Sequence, residues 1–400
     1  MRPRLGIATV LALALAGCGG GDRPDGTPAT SEDPGGGNAT YCAPEALTRP
    51  ESTAVRRFNR ARRADGLAAR FNPVQASQRI PDVCDVALID VDWMGHQAAA
   101  GALADLTDRV ERRKDDFIGE TLATARYGDR YWGLPRFIDV GLLYYEKTAG
   151  TPPFTWQQAY ALARKQHGLV YPAAGRWGAA NHFLELAYAA GGRVLSEDGG
   201  ASEVDSPQNL RALQLMRRGI TSGAVPRQVL RMGDEGARRA FDRGVSLMRN
   251  WTYAYGASRM GSWRSTAGVL ELPAVGDGEP AAVLSGLNVV VAADAATEEA
   301  ALALADHLTG DREARRLVDR LKLPTALAAS YEDSAVRPGL DYELELERTV
   351  AVARANPVTP KWPQIMDALG GHVRAALSGR VPPREALAAA DHEVAALLSG

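Results

Sequence analysis

Between Tyr131 and Lys147 the chain reads YWGLPRFIDVGLLYYEK, and this stretch limits how the rest can be arranged. A polar turn, Tyr127-Gly128-Asp129-Arg130, precedes it, and Leu134-Pro135 leads into the apolar run Val140 to Tyr145. Proline fixes φ and lacks a backbone donor, so it suits a strand start or a crossover and not the centre of a sheet. The Leu-Pro step recurs at Leu272-Pro273 and Leu323-Pro324. Read as three crossings, these steps divide the chain into two lobes, each made of two discontinuous pieces, with a cleft between them as the ligand site.

A length of 400 residues agrees, because it exceeds what one ordinary core supports. Hydrophobic residues make up 46% of the chain and charged residues 24%, the balance of a water-soluble globular protein. A net charge of −2 gives no footprint for nucleic acid or an anionic membrane surface. Helix-like and strand-like segments alternate, which predicts an α/β protein. Helices are expected over Ser52–Ala64, His96–Leu106, Asn181–Gly191, Leu340–Ala355 and Gln364–Leu377. A capping box, Thr155 with Gln158, starts a helix reaching His167. Ser206 followed by Pro207 starts one reaching Thr221, and Pro382 opens the last, reaching Leu398. Asp234, Thr297 and Asp311 are N-cap candidates. Strands are expected over Val83–Val91, Leu169–Tyr171, Val245–Met248 and within Ala281–Ala292.

The first residues predict a location. Arg2 and Arg4 precede the apolar run Leu5 to Ala16, which is too short to span a bilayer as a mature helix. Leu15-Ala16-Gly17-Cys18 is a lipobox pattern, in which the Cys18 thiol receives a lipid. Residues 18–40 are rich in Gly, Pro and polar residues and read as a flexible tether to the membrane. With Cys18 assigned, Cys42 and Cys84 remain as an even pair outside the cytoplasm, where disulfides persist. A Cys42–Cys84 bridge is expected; two buried free thiols are the alternative.

Candidate ligand contacts gather at strand ends. Asp90, Asp92 and Trp93 follow an apolar strand, and in open α/β sheets ligands bind beyond strand C-termini. Asp90 is either a ligand acceptor or the cap of the next helix. Asp92 suits a solvated or capping role. Phe137 and Asp139 share a strand face, a ring beside a carboxylate, as a polyhydroxylated ligand requires. Trp251 either packs against a sugar's C–H face or fills a lobe interior. Trp93, Trp177 and Trp362 are cleft, rim or core residues, and Arg136 is solvated or pairs with an acid at the hinge. His307 and His392 suit a helix surface. Catalytic signatures are missing: there is no G-x-S-x-G, no H-E-x-x-H and no P-loop, and the six His have no metal-ligand spacing. No cofactor or metal is expected.

Six ordered blocks carry a resemblance: DVALIDVDWMG (85–95), YWGLPRFIDVGLLYYEK (131–147), PFTWQQAYALA (153–163), AFDRGVSLMRNWTYAY (240–255), VLSGLNVVVAADA (283–295) and NPVTPKWPQIMDAL (356–369). With the lipobox, they resemble the extracellular solute-binding proteins of ABC importers, in particular the sugar-binding lipoproteins of the maltose and trehalose type. The resemblance implies an α/β two-lobed clamp with discontinuous lobes and a three-segment hinge. It follows a signal peptide over 1–17, with an N-lobe over 41–132 and 274–326 and a C-lobe over 133–273 and 327–400. It implies a monomeric, lipid-anchored, extracytoplasmic carrier, not an enzyme, that delivers a sugar to permease subunits. By block position Asp90 and Asp139 would accept sugar hydroxyls, Phe137 would fill an aromatic slot, Trp251 would be the stacking platform and Trp93 would wall the N-lobe side. Two positions depart from trehalose-type relatives. Leu287 stands where a Trp often follows Gly, and Asn356 where an Arg often precedes Pro-Val-Thr-Pro. The resemblance therefore implies a sugar, a di- or oligosaccharide, without implying trehalose. A sensor that no longer transports and a secreted glycoside hydrolase are the competing readings.

Overall fold

The computed structural model describes residues 38–75, 78–252, 254, 266–332 and 343–400. The signal peptide, Cys18 and most of the tether lie outside them, as do Tyr253 and Tyr255 at the end of the fourth block. Eleven strands are described: β1 Asn38–Pro44, β2 Ala68–Val74, β3 Val86–Asp90, β4 Arg126–Tyr127, β5 Arg130–Tyr131, β6 Leu134–Glu146, β7 Leu169–Val170, β8 Leu247–Trp251, β9 Ala267–Leu270, β10 Ala282–Val291 and β11 Ala353–Ala355. Strands β4 and β5 form a hairpin around the expected polar turn, with Gly128 at φ 62° in it. The other nine share one sheet in the order β2-β1-β3-β10-β6-β8-β7, with β11 beside β10 and β9 beside β6.

β6 holds this sheet together. Its first part, Leu134 to Val140, pairs antiparallel with β10, and its second part, Gly141 to Glu146, pairs with β8 and β9. Two half-sheets are thus hung on one strand of 13 residues, longer than the Val140–Tyr145 expected because Leu134 to Ile138 also finds a partner. Pro135 is the second residue of the strand and lies opposite Asn288 of β10. Pairing with β10 shifts register between Leu287 and Asn288. There Gly286 has φ 149°, and a side chain at Gly286 would collide with the Phe137 carbonyl.

The other Leu-Pro steps lie near this junction. The chain leaves β9 at Leu270, passes Leu272-Pro273 and enters β10 at Ala282. Thr325, just after Leu323-Pro324, bridges to Phe137, and the Ile138 N–H donates to the Pro324 carbonyl at 3.2 Å. Arg136 finds its acid: Nη2 donates to both oxygens of Glu51 at 2.9 and 3.0 Å, and Tyr41 Oη donates to the same carboxylate at 2.7 Å. Burying these groups together satisfies each charge that burial alone would make costly.

Cys42 and Cys84 are disulfide-bonded, with Cα atoms 5.9 Å apart. The bridge joins β1 to the segment before β3 inside an apolar cluster with Ile80, Ala87, Ile89 and Met94.

Several boundaries differ from expectation, each for a local reason. β1 starts at Asn38, inside the expected tether, because it pairs with β2 from its first residue. The strand expected from Val83 starts at Val86, since the Cys84 N–H turns back to the Pro81 carbonyl and Val83 is 62% exposed. The helix expected over His96–Leu106 covers Met94–Ala99 and stops before Gly101, whose φ is 69°. Asp234 and Asp311 are the first residues of their helices, with Gly233 and Gly310 in the cap positions. Thr297 stands at a cap without a side-chain bond. Of the helix expected over Leu340–Ala355, residues 340–342 lie outside the described ones; Glu343–Val352 is helical, after which the chain becomes β11 and pairs with Ala282 to Leu284 of β10. His307 is not a free surface residue: its ring meets Phe58 edge-on at 5.6 Å. The capping box of Thr155 and Gln158 forms as expected. No helix among the described residues is long and apolar enough to cross a membrane.

Candidate functional site

Strand register brings the candidate residues together where the half-sheets meet. Across the sheet, Asp90 on β3 lies opposite Leu287 on β10, and Leu287 lies opposite Phe137 on β6. Two residues along β6, Asp139 faces Ser285; two further, Gly141 faces Trp251 on β8. Residues far apart in sequence thus gather beside one short length of β6, with Asp90 one strand further off across β10.

Three carboxyls dominate the site. Asp90 ends β3 and caps the turn Val91–Trp93, accepting the Asp92 N–H at 2.9 Å. Burial, then the neighbouring Asp92 and Asp139 charges, push it up to about 8. Asp139 accepts the Thr252 N–H at 2.8 Å and the Thr252 hydroxyl. Those bonds favour the carboxylate, yet burial outweighs them and pushes Asp139 up to about 7. Asp92 is neither solvated nor merely capping: it is 6% exposed and its Oδ1 accepts from Asn356 Nδ2 at 2.8 Å and Trp362 Nε1 at 3.0 Å. Burial leads there too, to about 6, against both bonds. Asn356 and Trp362 therefore tie the Asp90–Trp93 turn to the segment after β11. Beneath that tie, a side chain at Gly95 would meet the Thr359 backbone at 2.7 Å. Asp90 and Asp139 each keep one oxygen without a hydrogen bond among the described residues. Such an oxygen can accept a hydrogen bond from a hydroxyl group or, when the carboxyl is neutral, donate one.

Four aromatic rings are candidates for the walls of the site. Trp93 and Trp177 lie parallel within 1°, centroids 6.1 Å apart, with His96 edge-on to Trp93 at 5.7 Å. Trp177 Nε1–H donates to Asp367 at 2.9 Å. Trp251 is half-buried, its ring 4.0 Å from the Arg249 guanidinium carbon. Phe137 is 6% exposed and packs under the Arg136 guanidinium at 5.1 Å, with its other contacts in the main core. Leu287 is half-buried in β10 between Asp90 and Phe137.

Sequence reasoning missed Glu185, Arg249 and Thr252. Arg249 Nε donates to Glu185 Oε2 at 2.8 Å and Nη2 to Glu185 Oε1, with both side chains buried. Burial pushes Glu185 up, but the Arg249 and His182 contacts more than offset it, and the carboxyl rests below its usual range. A signal existed. A lone Glu in the apolar run FLELAY and a lone Arg in SLMRNW are charges that a buried helix and strand cannot hold unpaired. No group of three or more potential metal ligands occurs among the described residues.

Known proteins share this architecture. A maltose-bound MalE3 of T. maritima has a TM-score of 0.80 at 24% identity, covering 89% of this chain and 98% of its own. The GacH receptor of Streptomyces glaucescens, solved unliganded and with acarbose, has a TM-score of 0.80 at 20% identity, covering 91% and 99%. These likenesses establish the fold as an α/β two-lobed clamp. In sequence, a probable ABC transporter-binding protein of Deinococcus radiodurans is 30% identical over 345 residues, 80% of this chain and 81% of that relative. Residues 68–315 match the profile described as bacterial extracellular solute-binding protein. The chain belongs to that family, whose members carry solutes for ABC transporters and catalyse no reaction.

Proposed function

We propose that this chain is the extracytoplasmic substrate-binding subunit of an ABC importer, anchored through lipid on Cys18. In this reading it binds a carbohydrate, a di- or oligosaccharide, as a monomer and hands it to permease subunits. The observation that carries the reading is the meeting of Asp90 and Asp139, each with an oxygen free of hydrogen bonds among the described residues, and the Trp251 ring at the β6 junction, with Trp93, stacked on Trp177, three residues after Asp90. A sugar has apolar C–H faces and a polar hydroxyl rim. Rings take the first and carboxyls the second. The maltose and acarbose held by proteins of the same fold support the same chemistry. Leu287 and Asn356 shape the cleft differently from trehalose-type relatives: Leu287 gives it an aliphatic contact, and Asn356 is spent on Asp92. The lobes are 41–132 with 274–326 and 133–273 with 327–400, except that Leu134–Val140 of β6 pairs with β10 of the first lobe, so closure bends β6 between Val140 and Gly141.

Tryptophan fluorescence titration against mono-, di- and oligosaccharides tests the reading. A saturable response to a sugar recovered chemically unchanged is expected. Response to peptides or polyamines, with none to any sugar, would reject it.

A further inference from the structure

The Trp251 ring has a buried ion pair beside it. Behind Trp251, on the same strand, the Arg249 guanidinium lies 4.0 Å from the indole ring. Glu185, from the helix Arg176–Ala189, grips that guanidinium through two parallel bonds. His182, one helical turn earlier, places Nδ1 3.3 Å from the same carboxylate and packs against Trp156 and Tyr171, at 5.0 and 4.0 Å between rings. The arrangement has room because residue 141 is glycine: a side chain there would overlap Glu185 Oε1 and lie 2.9 Å from Arg249 Nη2. The Trp251 side chain is also a hydrogen-bond partner of Asp234, and the Trp251 N–H donates to Asn250 Oδ1 at 2.9 Å.

We propose that Arg249 and Glu185 are positioning residues of the ligand cleft, their buried ion pair bracing the rear face of the Trp251 indole so that its front face is a fixed platform for the ligand. The proposal rests on the reading of the cleft as a carbohydrate site. A planar guanidinium can satisfy a carboxylate in a bidentate way and lie flat on a ring at the same time, which an ammonium cannot. An isolated Arg would not stay under the ring, because its buried charge needs a partner. Glu185 supplies that partner and holds the guanidinium plane. A ring braced before binding spares the ligand the cost of ordering it.

Two readouts test this in the whole chain. The first is the indole 1H–15N resonance of Trp251 in the unliganded protein, assigned by its loss in Trp251→Phe. Arg249→Lys and Glu185→Gln should shift or broaden it. The second is Kd for the carbohydrate found by titration. Arg249→Lys should raise Kd roughly tenfold in the wild-type background and less than about twofold in a Trp251→Leu background. An unmoved Trp251 resonance, or an equal penalty in both backgrounds, would overturn the proposal. Should the single variants not fold, the pair Glu185→Leu with Arg249→Met replaces both charges by apolar groups, and the same readouts apply. A wild type that binds no carbohydrate removes the cleft reading, while the indole resonance still decides whether the pair braces the ring.

Discussion

Gly141→Ala adds one methyl group in the middle of β6, and its cost can be worked from the structure. Gly141 has no positive φ, so alanine is sterically allowed by the backbone. Replacing glycine at such a position ordinarily stabilises by about 0.4–1 kcal/mol, through the unfolded chain. Here the added Cβ would overlap Glu185 Oε1 and lie 2.9 Å from both Arg249 Nη2 and Leu272 Cδ1. Neither charged partner has free space, because both side chains are buried. Glu185 must move off Arg249, and separating a buried ion pair costs about 3–5 kcal/mol. The net expectation is a loss of roughly 3–4 kcal/mol, a large part of the 5–15 kcal/mol typical of a folded domain. Urea unfolding of the wild type and Gly141→Ala measures it. Repeating the substitution in a Glu185→Ala background, where the carboxylate is gone, should reduce the cost to below about 1 kcal/mol. A neutral or stabilising Gly141→Ala in the wild-type background would refute the reasoning.

Three further outcomes follow from the same structure. Asp139 is lifted by burial to about 7, so its contribution is fully present below about pH 4 and is lost as pH rises through 7. Asp139→Asn, which keeps an acceptor for Thr252 but cannot ionise, should flatten the fall in stability between about pH 4 and 7 and gain on the order of a few kcal/mol relative to wild type at pH 8; a wild-type-to-variant difference independent of pH would contradict this. Cys42→Ser with Cys84→Ser opens a loop whose ends are 42 residues apart and should cost about 4 kcal/mol on the chain-entropy account, read by denaturant unfolding. Asn356→Leu leaves Trp362 as the one described donor to Asp92 and should destabilise by about 1–3 kcal/mol, while an unchanged midpoint would mean the Asn356 contact is replaced by water.

The junction strand was legible because its signals are local. Leu134-Pro135, the apolar run after it and the Thr155–Gln158 capping box are contiguous patterns, and each produced the element it predicts. Ends were less legible where a distant partner decides them. β3 starts late because the Cys84 N–H turns back to the local Pro81 carbonyl while its thiol is bonded to Cys42, and β11 pairs with Ala282–Leu284, the part of β10 that β3 does not reach. At the site, Asp90 and Asp139 could be picked out as acids at a strand end and on a strand face. The roles of Asp92, Arg249 and Glu185 could not be assigned. They depend on pairings 264, 64 and 64 residues long, which composition and spacing do not encode. What the sequence did carry was the anomaly itself, single charges inside apolar runs, without the identity of their partners.

The central claim is that a carbohydrate sits at the β6 junction between carboxyls and indole rings. A crystal structure with the sugar found by titration tests it most directly. The account predicts hydroxyl hydrogen bonds to Asp90 and Asp139 at 2.6–3.0 Å, as an order-of-magnitude range for O–H···O contacts, with an apolar sugar face on Trp251. A sugar bound elsewhere, or one held at the junction without touching either carboxyl or Trp251, would contradict it.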